Sequence, residues 1–208
     1  MPGDRLIYIV DDDEAVRDSL SLLLQASGFA ARTFASAREF LTAASSLRPG
    51  VVISDFQMPE MDGLELQQRL NEMRVPFLLI VMTGHGDVPL AVQAIKAGAL
   101  DFIEKPFAAE AILNVATAAS ERLAEPAGED RLGAMAAARL ALLTPREHEV
   151  LEGLLAGLPN KSIAYDLEIS PRTVEIHRAR AMDKMGARSL SELVQLSLAA
   201  GMRPRQGR

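Results

Sequence analysis

Val51-Val52-Ile53-Ser54-Asp55-Phe56-Gln57-Met58-Pro59 is the stretch that decides the fold. Three β-branched apolar residues in a row read as a strand buried on both faces, the condition of a strand inside a parallel sheet. The run stops at a carboxylate, and Met58-Pro59 followed by Asp62-Gly63 turns the chain away. A carboxylate at the carboxyl end of such a strand faces the crevice in which open α/β sheets bind ligands. Asp55 is therefore the first candidate for chemistry.

The flanking sequence repeats this pattern. Upstream, residues 6–10 form an apolar run that ends in Asp11-Asp12-Asp13. Val16, Leu20, Leu23 and Leu24 then fall on one helical face, and Gly28 ends that helix. A second strand is expected over 30–34, and a helix over 37–44 behind Ser36 as N-cap. Downstream of Asp55, a helix over 63–71 precedes a strand over 77–82 that ends at Thr83 and a Gly84-His85-Gly86 turn. A helix over 88–97, a short strand over 101–104 running into Lys105-Pro106, and a helix marked by Ile112, Val115, Ala116 and Ala119 complete the series. Five strands alternating with five helices imply an α/β doubly wound, five-stranded parallel sheet.

Beyond it the chain changes character. Residues 121–133 are polar and include Pro126 and Gly128, as a linker would be, and the alanine-rich 134–143 reads as helix. From Thr144 onward every segment reads as helix. Thr144-Pro145-Arg146-Glu147 has the arrangement of a capping box with proline in the first turn. A short helix over 160–167, a turn at Glu168-Ile169, a longer helix over 171–185 closed by Gly186 and a fourth over 191–200 form an all-α four-helix arrangement. Short helix, tight turn and longer helix are the mark of a helix-turn-helix. The expected division is 1–122, a partly helical connection over 123–143, and 144–208.

Composition sets the frame. The chain has 208 residues, 49% of them hydrophobic, enough for one large core or two small ones. It lacks cysteine, which removes disulfide and thiolate chemistry. Its longest apolar run, residues 76–82, is too short for a bilayer, and the acidic amino terminus has no signal-peptide pattern; a cytoplasmic protein without a membrane partner is expected. The net charge of −6 is unevenly spread. Residues 1–126 hold 10 basic against 18 acidic side chains, and residues 127–208 hold 12 against 10. An acidic front and a mildly basic back imply two domains with different partners.

Four strand ends then share one crevice: Asp11, Asp12 and Asp13, then Asp55, Thr83 and Lys105. Clustered carboxylates call for a cation, and Mg2+ suits oxygen ligands of this kind. Beside it, Asp55 can act as a nucleophile toward phosphorus, Lys105 can stabilise equatorial phosphoryl charge, and the Thr83 hydroxyl can donate to the new group. Singly, each has a plainer role: an aspartate after a strand caps a helix, Thr83 serves a turn and Lys105 is a solvated charge. His85, between two glycines, reads as a loop residue without a role. The conjunction carries the reading.

Val10-Asp11-Asp12, Asp55-x-x-Met58-Pro59, Thr83-Gly84 and Lys105-Pro106 together resemble the signature of response-regulator receiver domains, a flavodoxin-like fold, over residues 4–122. The resemblance implies that Asp55 is the phosphoacceptor, and that Asp11, Asp12 and Asp55 hold Mg2+ with the Gln57 backbone carbonyl. It further implies that Thr83 and Phe102 are a switch pair, that Lys105 binds the phosphate, and that the bond before Pro106 is cis. Asp13 is secondary. The Gly84-His85-Gly86-Asp87-Val88 turn and the Phe102-Ile103-Glu104-Lys105-Pro106-Phe107 run are similar to the FixJ branch of these regulators.

In the third of the later helices, Val174, Ala181 and Met185 form a core stripe with His177 at its border, while Arg172, Glu175, Ile176, Ala179 and Asp183 lie roughly opposite. A plain four-helix bundle with solvated charges would also show such a stripe. The turn spacing, with Gly157-Leu158-Pro159-Asn160-Lys161 and Ser170-Pro171-Arg172-Thr173-Val174-Glu175, resembles LuxR-type DNA-binding domains over residues 142–205. That resemblance implies that Lys161, Thr173, Arg178 and Lys184 contact phosphates or lie near them, with positions 175, 176 and 179 facing base edges; Arg172, on the same face as these, completes the expected DNA-binding set. Some relatives carry lysine at 175 and 179, so Glu175 and Ala179 imply a different groove chemistry.

The resemblances together imply a transcriptional activator rather than an enzyme. A FixL-like sensor histidine kinase would charge Asp55, and a homodimer would form on promoter DNA and engage RNA polymerase. The genes implied are those of nitrogen fixation and microaerobic growth. Other inputs, such as aromatic compounds or other metabolites, serve the same regulator class. Two further readings compete from other classes. A haloacid-dehalogenase-type phosphatase would carry its nucleophile at the end of the first strand, and a ligand-controlled LuxR-type factor would need an apolar pocket.

Overall fold

A computed structural model of the chain describes residues 5–84, 88–124 and 129–202. Five strands alternate with helices in the order β1 (Leu6–Val10), α1 (Glu14–Ala26), β2 (Ala30–Phe34), α2 (Ala37–Ala44), β3 (Gly50–Asp55), α3 (Gly63–Met73), β4 (Phe77–Thr83), α4 (Val88–Lys96), β5 (Asp101–Glu104) and α5 (Ala109–Ala124). The helices α6 (Glu129–Leu140), α7 (Pro145–Leu155), α8 (Asn160–Asp166), α9 (Pro171–Met185) and α10 (Leu190–Ala199) follow. His85, Pro126 and Gly128 lie outside the described residues. The described residues fall into two compact units, drawn from 1–87 with 96–126 and from 88–95 with 127–208.

The strands run parallel in the order β2-β1-β3-β4-β5. The crossover through α1 runs toward β2, and those through α2 and α3 run the other way. Right-handed crossovers therefore put α1 on one face of the sheet and α2 and α3 on the other. On the first face Leu20 and Leu24 of α1, with Ile112, Ala116 and Ala119 of α5, cover Ile7, Ile9, Val51, Ile53, Ile80, Met82 and Ile103. The alternate residues Tyr8, Val10, Val52, Leu79 and Val81 point the other way and are buried with Phe40, Leu66 and Leu70. Tyr8 anchors an aromatic cluster with Phe34, Phe40 and Phe77, and its hydroxyl donates to the Arg48 carbonyl at 2.8 Å. A Cβ on Gly50 would sit 2.7 Å from the Tyr8 ring, so glycine is what lets that ring lie against β3.

The connection departs from its composition. Polar residues 121–133 read as linker, yet α5 runs to Ala124 and α6 begins at Glu129. Glu121, Arg122, Leu123 and Ala124 are all good helix formers, and helix propensity outweighs their polarity. α6 packs on α9 and α10 and thus belongs to the helical unit. In that unit the Thr144–Glu147 capping box closes the start of α7. Ser170 caps α9 through the Thr173 N–H, and Gly186, at φ +68°, ends it in the left-handed conformation. Between α8 and α9 the turn is made by Glu168 at φ +54°.

Candidate functional site

Register brings the acidic residues together. Asp55 ends β3 opposite Met82, and Ile9 pairs with Ile53. Alternation along each strand therefore puts Asp11 and Asp55 on the face of Ile9, Ile53, Met82 and Ile103, and Lys105 continues the parity of Ile103. The Lys105 ammonium lies 3.2 Å from Asp11 Oδ2 and 3.1 Å from Asp55 Oδ1. One carboxylate oxygen from each of Asp11, Asp12 and Asp55 lies within 4.8 Å of the others. The Lys105–Pro106 peptide bond is cis.

Asp11 is 1% exposed and tethered through each of its polar groups. Its N–H donates to the Phe34 carbonyl at 3.3 Å, and its carbonyl accepts from Arg17 Nη1 at 2.7 Å. Its Oδ1 accepts the Asp13 N–H at 2.9 Å, and its Oδ2 accepts from Lys105. Asp12 is exposed. Asp13 has a local task, since its Oδ1 accepts the Ala15 N–H at 2.8 Å and caps α1. Gln57 sits exposed in the loop after β3. The start of α3 packs directly on that loop. Gly63 N–H donates to the Phe56 carbonyl, and a Cβ there would sit 3.1 Å from the Asp55 carbonyl.

Burial pushes the Asp55 carboxyl above the usual range, and the Asp11 charge adds to the rise, against the pull of Lys105. Burial works to lower Lys105, but Asp55 and Asp11 carry it above the usual lysine value. Lys105 is therefore an ammonium at neutral pH. Three carboxylates of this spacing fit a small divalent cation, which takes hard oxygen ligands.

Thr83 and Phe102 share one face of the sheet, because Val81 pairs with Phe102 and Thr83 is two residues further along β4. Thr83 is buried and Phe102 half-buried. The Thr83 carbonyl accepts the Lys105 N–H at 2.7 Å, which ties the ends of β4 and β5 together.

On α9, Val174, Ala181 and Met185 are buried, as the stripe requires. Arg172, Glu175, Ile176 and Ala179 are exposed, Arg178 half-buried, and Lys161 on α8 exposed. Thr173 is drawn into the cap, its hydroxyl 2.8 Å from that of Ser170. Lys184 is half-buried. Its ammonium donates to Glu147 Oε2 at 2.7 Å and joins α9 to the start of α7. Burial works upward on Glu147, but Lys184 and the Thr144 N–H hold its carboxyl down at about 2. Arg139 of α6 donates to the Met185 carbonyl at 2.8 Å, at the last residue of α9. These last partners lie 37 and 46 residues apart, and nothing local in the sequence announces them. The glutamate of the capping box was visible; its lysine was not.

The response regulator receiver domain family matches residues 7–117, and the luxR family of bacterial regulatory proteins matches residues 141–197. The chain is similar to the transcriptional regulatory protein FixJ of Bradyrhizobium diazoefficiens, with 52% identity over 94% of this chain and 96% of the relative. It is 43% identical to the C4-dicarboxylate transport transcriptional regulatory protein DctR of Rhodobacter capsulatus, over 92% of this chain and 98% of that one. A crystal structure of full-length FixJ from B. japonicum matches with a TM-score of 0.56 and 50% identity, over 95% of this chain and 97% of that one. No described helix is long and apolar enough to cross a membrane. A parallel five-stranded sheet with an acidic crevice, joined to a LuxR-type helical unit, thus belongs with its relatives: the chain is a member of the FixJ-like two-component response regulators.

Proposed function

We propose that this chain is a transcriptional activator switched by phosphorylation of Asp55. The observation that supports it most is the meeting of Asp11, Asp12, Asp55 and Lys105 at the ends of β1, β3 and β5, in a chain that also carries a helix-turn-helix. A sensor histidine kinase supplies the phosphoryl group as a phosphohistidine. An Asp55 carboxylate oxygen attacks phosphorus, the P–O bond forms as the P–N bond breaks, and the imidazole nitrogen leaves with the electron pair. Asp11, Asp12 and Asp55, with the Gln57 carbonyl, hold Mg2+, whose charge when bound offsets that of the carboxylates and the phosphoryl oxygens. Lys105 turns from its carboxylate partners to the phosphoryl group, and the Thr83 hydroxyl donates to it. Phe102 follows Thr83 inward, and the surface around α4 and β5 becomes the seat of a homodimer.

The dimer presents two α9 helices to two half-sites of promoter DNA. Lys161, Thr173, Arg178 and Lys184 contact the phosphates or lie near them, Glu175, Ile176 and Ala179 face base edges, and Arg172 belongs to the same DNA-binding surface. RNA polymerase is then engaged, in the cytoplasm where the promoter lies. The receiver spans residues 1–122, the connection 123–143 and the DNA-binding domain 144–208. Beyond accepting phosphate, the chain at most hydrolyses its own acyl phosphate.

For the pathway, the 52% identity to FixJ supports a FixL-like haem-containing oxygen sensor as kinase, with nitrogen-fixation and microaerobic genes as targets. Another input to the same regulator is the second reading, and the likeness to a C4-dicarboxylate transport regulator favours it. Promoter binding and dimerisation, measured with and without acetyl phosphate and Mg2+ on wild type and Asp55→Asn, test the switch. Wild type should gain affinity about tenfold or more, on the scale of ordinary allosteric coupling, and Asp55→Asn should not respond. Equal binding in every condition would overturn it.

A further inference from the structure

One basic group near the acidic crevice has no part in the scheme above. Arg17 stands on the second turn of α1, and its Nη1 donates to the Asp11 backbone carbonyl at 2.7 Å. That carbonyl belongs to the peptide linking Asp11 to Asp12. The peptide unit is planar, so holding its oxygen also fixes the nitrogen and Cα of Asp12. Asp11 needs no such help: its carboxylate is already held by the Asp13 N–H and by Lys105. Asp12 is exposed and next in the chain, beyond the plane that Arg17 holds. The backbone N–H of Arg17 donates to the carbonyl of the N-cap Asp13 at 3.1 Å, the first intrahelical bond of α1.

We infer that Arg17 is a positioning residue for Asp12, acting through the Asp11–Asp12 peptide to set the carboxylate that completes the cation site. The inference rests on the Mg2+ reading given above. It separates cleanly from a purely electrostatic role, because the two have opposite signs. Deleting a nearby positive charge would strengthen cation binding. Deleting a support for a ligand weakens it, typically by 10- to 100-fold.

The test is calorimetric titration of Mg2+ into the full-length protein without phosphodonor, for wild type, Arg17→Met, Arg17→Gln, Arg17→Lys and Asp12→Asn. Arg17→Met and Arg17→Gln should each weaken binding about tenfold, and Arg17→Lys should restore most of the loss. In the double variant Arg17→Met/Asp12→Asn the two losses should overlap rather than add, as for groups that act through one another. Additive losses, unchanged affinity in both Arg17→Met and Arg17→Gln, or tighter binding would overturn the inference. If wild type itself binds no Mg2+, the metal reading fails instead, and the inference falls with it. Melting curves of each variant identify any that fails to fold, and Arg17→Gln stands in if Arg17→Met does.

Discussion

Asp55 and Glu147 are both carboxylates paired with a lysine, and they carry opposite consequences for stability. Asp55 has its pKa raised by burial, so the folded state holds its proton more tightly than the unfolded chain does. Its effect on stability is therefore unfavourable once pH rises above the ordinary value of 3.8 and on through the folded value. Asp55→Asn, without phosphodonor, should stabilise the protein at neutral pH, because it removes a carboxylate whose charged form burial disfavours. In urea unfolding that gain should shrink as pH falls toward 4; a loss of stability at neutral pH would refute the reading that burial disfavours the Asp55 carboxylate. Glu147 behaves in the reverse sense. Its folded pKa of about 2 lies below the ordinary 4.5, so it contributes stability at neutral pH that is lost as pH falls from about 4.5 to about 2. Glu147→Gln should flatten that acid limb in circular dichroism at 222 nm, and a limb unchanged by the substitution would place the pair's contribution elsewhere. The sequence announced both carboxylates, Asp55 by its place at a strand end and Glu147 by its capping box. It placed Lys105 beside Asp55 but not the burial that raises that carboxyl, and it held no sign of the lysine 37 residues away that holds Glu147 down.

Among the elements, α9 depends on neighbours that are remote in the chain. Its carboxyl end is closed by Gly186 at φ +68°, where a Cβ would sit 2.6 Å from Arg139 Nη1. Arg139 also brings a cation to a helix carboxyl terminus, where the backbone dipole favours it. Gly186→Ala should therefore cost about 1–2 kcal/mol, from the left-handed backbone and from displacement of Arg139. Arg139→Ala should cost about 1 kcal/mol. Amide exchange at residues 183–187 should quicken in both variants, and exchange that stays as slow as in wild type would show that α9 is closed without them. The strands were legible because buried parallel strands are continuous apolar runs, as in β1, β3 and β4. The helix-turn-helix was legible from its caps and turn. The reach of α5 to Ala124 and the packing of α6 on α9 and α10 were not. Polar helix formers and alanine-rich stretches read alike in a linker and in a helix that packs only by its small face.

Over the whole molecule, charge sets how DNA binding responds to salt. The acidic residues 1–126 and the basic excess of 127–208 coexist in a chain of net charge −6, so affinity for DNA must come from local contacts rather than overall attraction. On the proposal that Lys161 and Arg178 contact phosphates, Lys161→Ala or Arg178→Ala should weaken binding to all sequences alike and lower the slope of log K against log salt by about 1. Glu175→Ala should instead alter preference among promoter variants, with the salt slope kept. A slope unchanged in Arg178→Ala would remove that residue from the phosphate contacts. Lys184 is a sharper case. Its ammonium is held by Glu147, so Lys184→Ala should lower stability more than it lowers the salt slope. The acidic crevice has one more property, which follows from its span. Lys105 and Asp11 meet across 94 residues of chain, through a strand at the far side of the sheet from β2. During synthesis, a ribosome must therefore have released residue 105 before the crevice can close. On the phosphorylation reading proposed above, the emerging chain cannot accept a phosphoryl group at a complete site until then. On that reading, competence to be phosphorylated reports that the sheet is complete through β5.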